Sequence, residues 1–223
     1  MEGARVFRLG FWSAFLFTLT GILYGVSMGL LLSNYSIPDY IDLEQFLRAV
    51  PKEFMDFYSF SQFFAFLSTL FYIILLCCIH DSVEEKRKIY SRLSLLFGLA
   101  FILLACINYF LQFSIVRLSL NEGITANLEP FVQLNPRSFA FAINMLGWSL
   151  FLGLSTFFIG MVYKSKAVIR WTFFLTSGFC ILGFIGFIVD HQWLMLIFQI
   201  GMTVGLTIGG AMISVYFYKE KVN

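Results

Sequence analysis

Six apolar stretches, each about twenty residues long, make up most of this chain, and nearly every charge sits in the joins between them. The hydrocarbon core of a bilayer is about 30 Å thick and a helix rises about 1.5 Å per residue, so roughly twenty apolar residues make one crossing. Backbone N–H and C=O groups cannot be left bare in lipid, which restricts runs of this kind to helices. The pattern predicts an all-α, polytopic integral membrane protein, a bundle of six transmembrane helices. The spans run approximately over residues 9–32, 57–79, 93–116, 138–163, 171–189 and 193–218. Together they use up the length, so residues 1–223 are expected to form one membrane domain with no separate soluble domain.

Composition agrees with this solvent. Hydrophobic residues make up 59% of the chain and charged residues 13%, against the roughly one quarter charged in soluble domains. The 29 phenylalanines exceed what one water-excluded core can hide, whereas a lipid-facing surface need not hide them. The first run follows Arg5 and Arg8, as a signal peptide would. It is longer than a signal core of about 7–15 residues and lacks a small-residue cleavage site, so it reads as a retained helix.

Lys and Arg counts orient the bundle. With the N-terminus cytoplasmic, eleven of the 15 basic residues fall in inner segments, and only Arg48, Lys52, Arg117 and Arg137 fall outside. Both termini are therefore expected in the cytoplasm, with the cell membrane as the location. Among the outer segments, residues 39–50 read as a short amphipathic helix with Leu43, Phe46, Leu47 and Val50 on one face. Ser36 or Asp39 is positioned to cap it and Pro51 to end it, and its expected place is flat on the outer membrane surface. Residues 118–137 contain Gly123, Pro130 and Pro136, so they predict an irregular loop, long enough to fold over the outer mouth. Asp190, His191 and Gln192 leave room only for a tight hairpin between the last two helices. The charged stretch 81–92 reads as a solvated helix extension.

Two constellations stand out. Gly21, Gly25 and Gly29 on the first helix, and Gly201, Gly205 and Gly209 on the sixth, are each a double G-x-x-x-G. Small residues at this spacing let backbones approach closely in lipid, where no hydrophobic drive joins helices. Contact between helices one and six, or dimerisation along either stripe, would use them. The second constellation is polar. Gln62, Asn108, Gln112, Asn144 and Gln199 all fall in the outer half of the spans, about 6–12 Å below the outer boundary. Bare amides in hydrocarbon are costly, so they should point inward. Either they hydrogen-bond across helices as fasteners, or they line an outer cavity with Trp148, Tyr58 and Tyr109 as walls. As ligand-binding residues the candidates are Gln62, Asn108, Gln112, Asn144, Trp148 and Gln199.

Absences narrow the field further. No Asp, Glu, Lys or Arg lies in the central part of a span, which disfavours coupling to protons or sodium. His80 and His191 fall on opposite sides, so they cannot share a metal or haem, and no cofactor is expected. Cys77, Cys78, Cys106 and Cys180 form no C-x-x-C and read as buried thiols, with palmitoylation of Cys77 and Cys78 as the alternative. No nucleophile has a base placed beside it in the bilayer, so catalysis ranks last. The net charge of +2 is scattered and gives no argument for nucleic acid. Binding or transport of a small or amphiphilic molecule through an outer polar cavity is the leading expectation. The alternative is an accessory subunit that packs or dimerises through its glycine helices. The expected partners are the bilayer, a small-molecule or lipid ligand, and a second copy of the chain.

Overall fold

The computed structural model describes residues 2–35 and 40–222. Six of its helical segments are long and apolar enough to cross a membrane: Gly3–Asn34, Glu53–Ser82, Glu85–Asn121, Phe139–Val162, Ala167–Ile188 and Gln192–Glu220. Their outward faces carry Leu9, Trp12, Leu103, Phe110, Leu175 and Ile200, each about half exposed. Apolar surface on this scale is incompatible with water and suits lipid. The molecule is a membrane-embedded, multi-pass, all-helical protein.

The elements are α1 (Glu2–Asn34), α2 (Leu43–Ala49), α3 (Lys52–Ser82), α4 (Lys88–Leu111), α5 (Arg117–Asn121), α6 (Phe139–Met145), α7 (Leu152–Val162), α8 (Ala167–Ile188) and α9 (Gln192–Val222). The third span is α4 and α5 joined by a π-helical turn at Gln112–Val116. The fourth is α6 and α7 joined by a second π turn at Leu146–Phe151. The spans pack in chain order around a closed ring, α1 against α3, α3 against α4, α4 against α7, α7 against α8, α8 against α9, and α9 back against α1. The fourth span is the most enclosed and the first the most peripheral. One end of the bundle carries both described chain ends and the turns at 83–87 and 163–166. The other carries α2, the loop 122–138 and the α8–α9 turn.

At the end holding the termini, short polar contacts tie the spans. The Tyr72 hydroxyl lies 2.9 Å from Ser155 Oγ, which donates to the Ser94 carbonyl at 2.9 Å. The Arg87 guanidinium donates to Val162 O at 3.1 Å, satisfying a carbonyl that the end of α7 leaves open.

The α8–α9 pair is a tight hairpin of three residues. Asp190 takes a left-handed conformation (φ 51°), and His191 N donates back to Gly186 O at 2.8 Å. Residue for residue this is a Schellman end, with aspartate where glycine is usual. The same device ends α5: Gly123 has φ 73° and Ile124 N donates to Ser119 O at 2.8 Å.

The glycine stripes have different fates. On α9, a Cβ at Gly201, Gly205 or Gly209 would run into Phe179, Thr176 or Phe173 of α8. In return Gly183 and Gly186 of α8 receive Phe198 and Leu194 of α9. The sixth-helix stripe thus closes the α8–α9 hairpin rather than the contact with α1. Helices one and six do touch, but through Gly10 under the Phe217 ring, where a Cβ would come within 2.8 Å of it, and Gly210 against Thr18 and Phe17. On α1, a Cβ at Gly21 or Gly29 would meet nothing within 4 Å, and at Gly25 only Thr203 at 4.0 Å. Those three glycines therefore bring no second backbone close; Gly21 borders a small apolar gap between α1 and α9, with Thr203, Leu206 and Thr207 across it.

The amphipathic segment also differs in detail. The helix is shorter than expected, and Asp42 caps it by accepting from Gln45 N at 2.8 Å. Ser36 and Asp39, the caps read from the sequence, lie outside the described residues. Its apolar face is occupied by protein. Leu43 packs with Val116, Leu128 and Val132, while Phe46 and Val50 pack with Leu31, Phe54 and Tyr58. A stripe that buries against lipid and one that buries against protein have the same period, so the pattern alone does not separate them.

Candidate ligand site beneath the 122–138 loop

Three of the five expected amides converge, and a fourth amide from the loop joins them. Asn108 Nδ2 donates to Gln133 Oε1 at 2.5 Å and to Asn144 Oδ1 at 3.2 Å. Gln112 Nε2 donates to Phe131 O at 2.7 Å, and Gln112 Oε1 accepts from Gln133 N at 2.9 Å. Asn108, Gln112 and Gln133 are all buried, and Asn144 is half-buried. The 122–138 loop therefore dips into the bundle and seals it. Both π turns flank this layer, with Gln112 opening the first and Trp148 inside the second. A π turn changes the angular register of a helix, which re-aims the side chains on either side of it.

The remaining candidates lie apart. Gln62 is fully buried, and neither its Oε1 nor its Nε2 meets a partner among the described residues. Asn108 Oδ1 and Trp148 Nε1 are in the same condition. Trp148 stacks edge-on against Phe101 at 4.8 Å between ring centres. Gln199 is exposed and faces a broad open groove shared with Tyr40, Glu129, Arg137 and Asp190. The five amides do not line a single cavity of ligand size.

A cavity of that size does lie beside them. A cleft of about 300 Å³ runs between α2, the first turns of α3 and the end of the third span. Leu47, Met55 and Leu120 give it apolar walls, and Val132 and Leu134 of the loop close one side. Gln112 borders it, and Asp56 and Arg117 bring opposite charges to it. The Arg117 Nε–H is held by Phe113 O at 3.1 Å. Clefts of roughly 300 Å³ and above, mostly apolar with a few placed polar groups, are the usual form of small-molecule sites.

Carboxylates lock the covering elements together. Glu129 Oε1 accepts from Leu43 N at 2.8 Å, so the loop and Asp42 together satisfy two N–H groups in the first turn of α2. Tyr40 sits beside this pair with its hydroxyl buried and unpartnered among the described residues. Burial, and then the Glu129 and Asp42 carboxylates, push its phenol up to about 12.

Gln133 and Asp56 complete the site, and sequence reasoning placed neither there as a ligand residue, whereas Glu129 and Arg117 were already legible as charges near this mouth. The one available signal for Gln133 was its position in Phe131-Val132-Gln133-Leu134, the most apolar run of the loop, set between Pro130 and Pro136. Among the described residues no group of His, Cys, Asp and Glu is arranged to hold a metal. Compared with protein-family models, curated proteins and solved structures, the chain matches none.

Proposed function

We propose that this is a cell-membrane protein, with both termini cytoplasmic, that binds a small amphiphilic molecule at its outer end. The carrying observation is the cleft beneath α2, which joins apolar walls to Gln112 and to the opposed charges of Asp56 and Arg117. The orientation rests on the excess of Lys and Arg at the end that holds the termini. It sets α2 and the 122–138 loop at the outer membrane boundary, where an amphiphile can reach the cleft from water or from the outer leaflet. Binding is the common step of carrying, sensing or presenting such a molecule.

Native mass spectrometry of the protein extracted in mild detergent tests this reading. The expected result is retained small-molecule mass that falls in Ser59→Trp, which fills the cleft from the α3 side. Retention that is unchanged in Ser59→Trp, or no retention at all, counts against it. A second reading, an accessory subunit, has one specific support. Gly29 of α1 is exposed, and a Cβ there would meet nothing within 4 Å, which suits a close-approaching partner helix.

A further inference from the structure

The amide layer recognises its own loop in the way a protein recognises a peptide. Gln112 spends both ends of its carboxamide on main-chain groups, taking the carbonyl of Phe131 and giving an acceptor to the N–H of Gln133. That pairing grips the main chain on either side of Val132, the one extended residue between the 3-10 turn at Glu129–Phe131 and the turn that follows, whatever side chains it carries. Asn108, oriented by Asn144, takes the one polar side chain of the segment, Gln133. The fit is incomplete. Asn108 Oδ1 stays buried without a partner among the described residues, and such a group costs about 1–3 kcal/mol. The segment also borders the cleft, because Val132, Leu134 and Gln112 all line it. Displacing the segment would join the cleft to the amide layer.

We infer that Asn108, Gln112 and Asn144 form a peptide-reading site, filled in the resting protein by residues Phe131–Gln133, and that a short peptide able to take the same turn-flanked conformation, entering at the α2 end, exchanges with them. This rests on the outer-cleft reading and names its ligand class. A short peptide also has the charges that Asp56 and Arg117 would meet and apolar side chains for the walls. The built-in segment competes at high effective concentration, so a free peptide binds weakly until the segment is loosened.

The probe is the synthetic peptide Glu-Pro-Phe-Val-Gln-Leu-Asn, the sequence of residues 129–135, with free termini. Its affinity for the detergent-solubilised protein is measured by calorimetry. Gln133→Ala, and more so Gln133→Pro, which also removes the N–H that Gln112 binds, are expected to bind it at least tenfold more tightly than the parent. Adding Gln112→Leu to either should abolish the gain. Hydrogen exchange on the unmodified protein supplies a readout independent of those variants. Saturating peptide should raise exchange at residues 131–134 while the helix amides stay protected. Equal affinity in parent and Gln133 variants, or a gain that survives Gln112→Leu, overturns the proposal. Unchanged exchange at 131–134 under saturating peptide overturns it too. If small-molecule retention still falls in Ser59→Trp while these results fail, the cleft stands and the exchange does not.

Discussion

Gln112 joins two main-chain groups of the loop, and its removal tests how much of the fold they hold. Gln112→Leu strands Phe131 O and Gln133 N–H, which is expected to cost about 1–3 kcal/mol in thermal or denaturant unfolding. Gln199→Leu, on an exposed face, is expected to change stability by less than about 0.5 kcal/mol. Comparable losses at the two sites would show that Gln112 holds nothing together. A similar contrast holds for glycine. Gly205→Leu meets Thr176 across the α8–α9 contact and should lower stability by about 1–3 kcal/mol, whereas Gly29→Leu meets nothing and should be tolerated. The sequence made these six glycines and five amides equally visible. It did not separate a glycine facing Thr176 from one facing open space, because the G-x-x-x-G spacing is identical. Nor did it pair Asn108 with Gln133, since the two are 25 residues apart and joined only by a loop reversal that begins at Gly123.

At the scale of single elements, α2 is held by both of its sides. Its apolar face enters two hydrophobic clusters, and its first turn is bound by Asp42 and by Glu129 from the distant loop. Glu129→Ala should leave the Leu43 N–H unsatisfied and weaken the cap by about 0.5–2 kcal/mol. Faster hydrogen exchange over residues 42–50, with the spans unchanged, is the expected sign. Tyr40 gives this region a pH signature. Its phenol is raised to about 12 in the folded protein, against an ordinary value near 10. The neutral form is thus favoured by folding. Its contribution to stability is complete below pH 10 and is lost as the pH rises from about 10 to about 12. Spectrophotometric titration of the parent against Tyr40→Phe should assign a phenolate near 12 to this residue. An ordinary value near 10 would contradict its placement beside the two carboxylates. The α8–α9 turn carries a milder strain, because Asp190 occupies a left-handed conformation. Asp190→Gly should raise stability by up to about 1 kcal/mol.

For the whole molecule, the six apolar runs already determined the helix count, and the structure places six spans close to the expected positions. That much is legible because the length of a crossing and the exclusion of charge are properties of the bilayer, and every span must meet them separately. The ring order of the spans and the loop plug depend on which side chains meet, and apolar lipid-facing and core-facing positions look alike in composition. Of the three α1 glycines only Gly29 is exposed, while Gly21 and Gly25 look toward α9. If α1 has a partner helix, cysteine at Gly29 should crosslink between copies; no such crosslink in a membrane preparation would contradict it.

The most direct measurement of the central claim is a density map of the protein in lipid nanodiscs. The account predicts a discrete occupant in the cleft of about 300 Å³ between α2, α3 and the third span, in contact with Arg117 and Asp56. A cleft closed by the protein's own side chains, with α2 packed directly on Gln112, would contradict it.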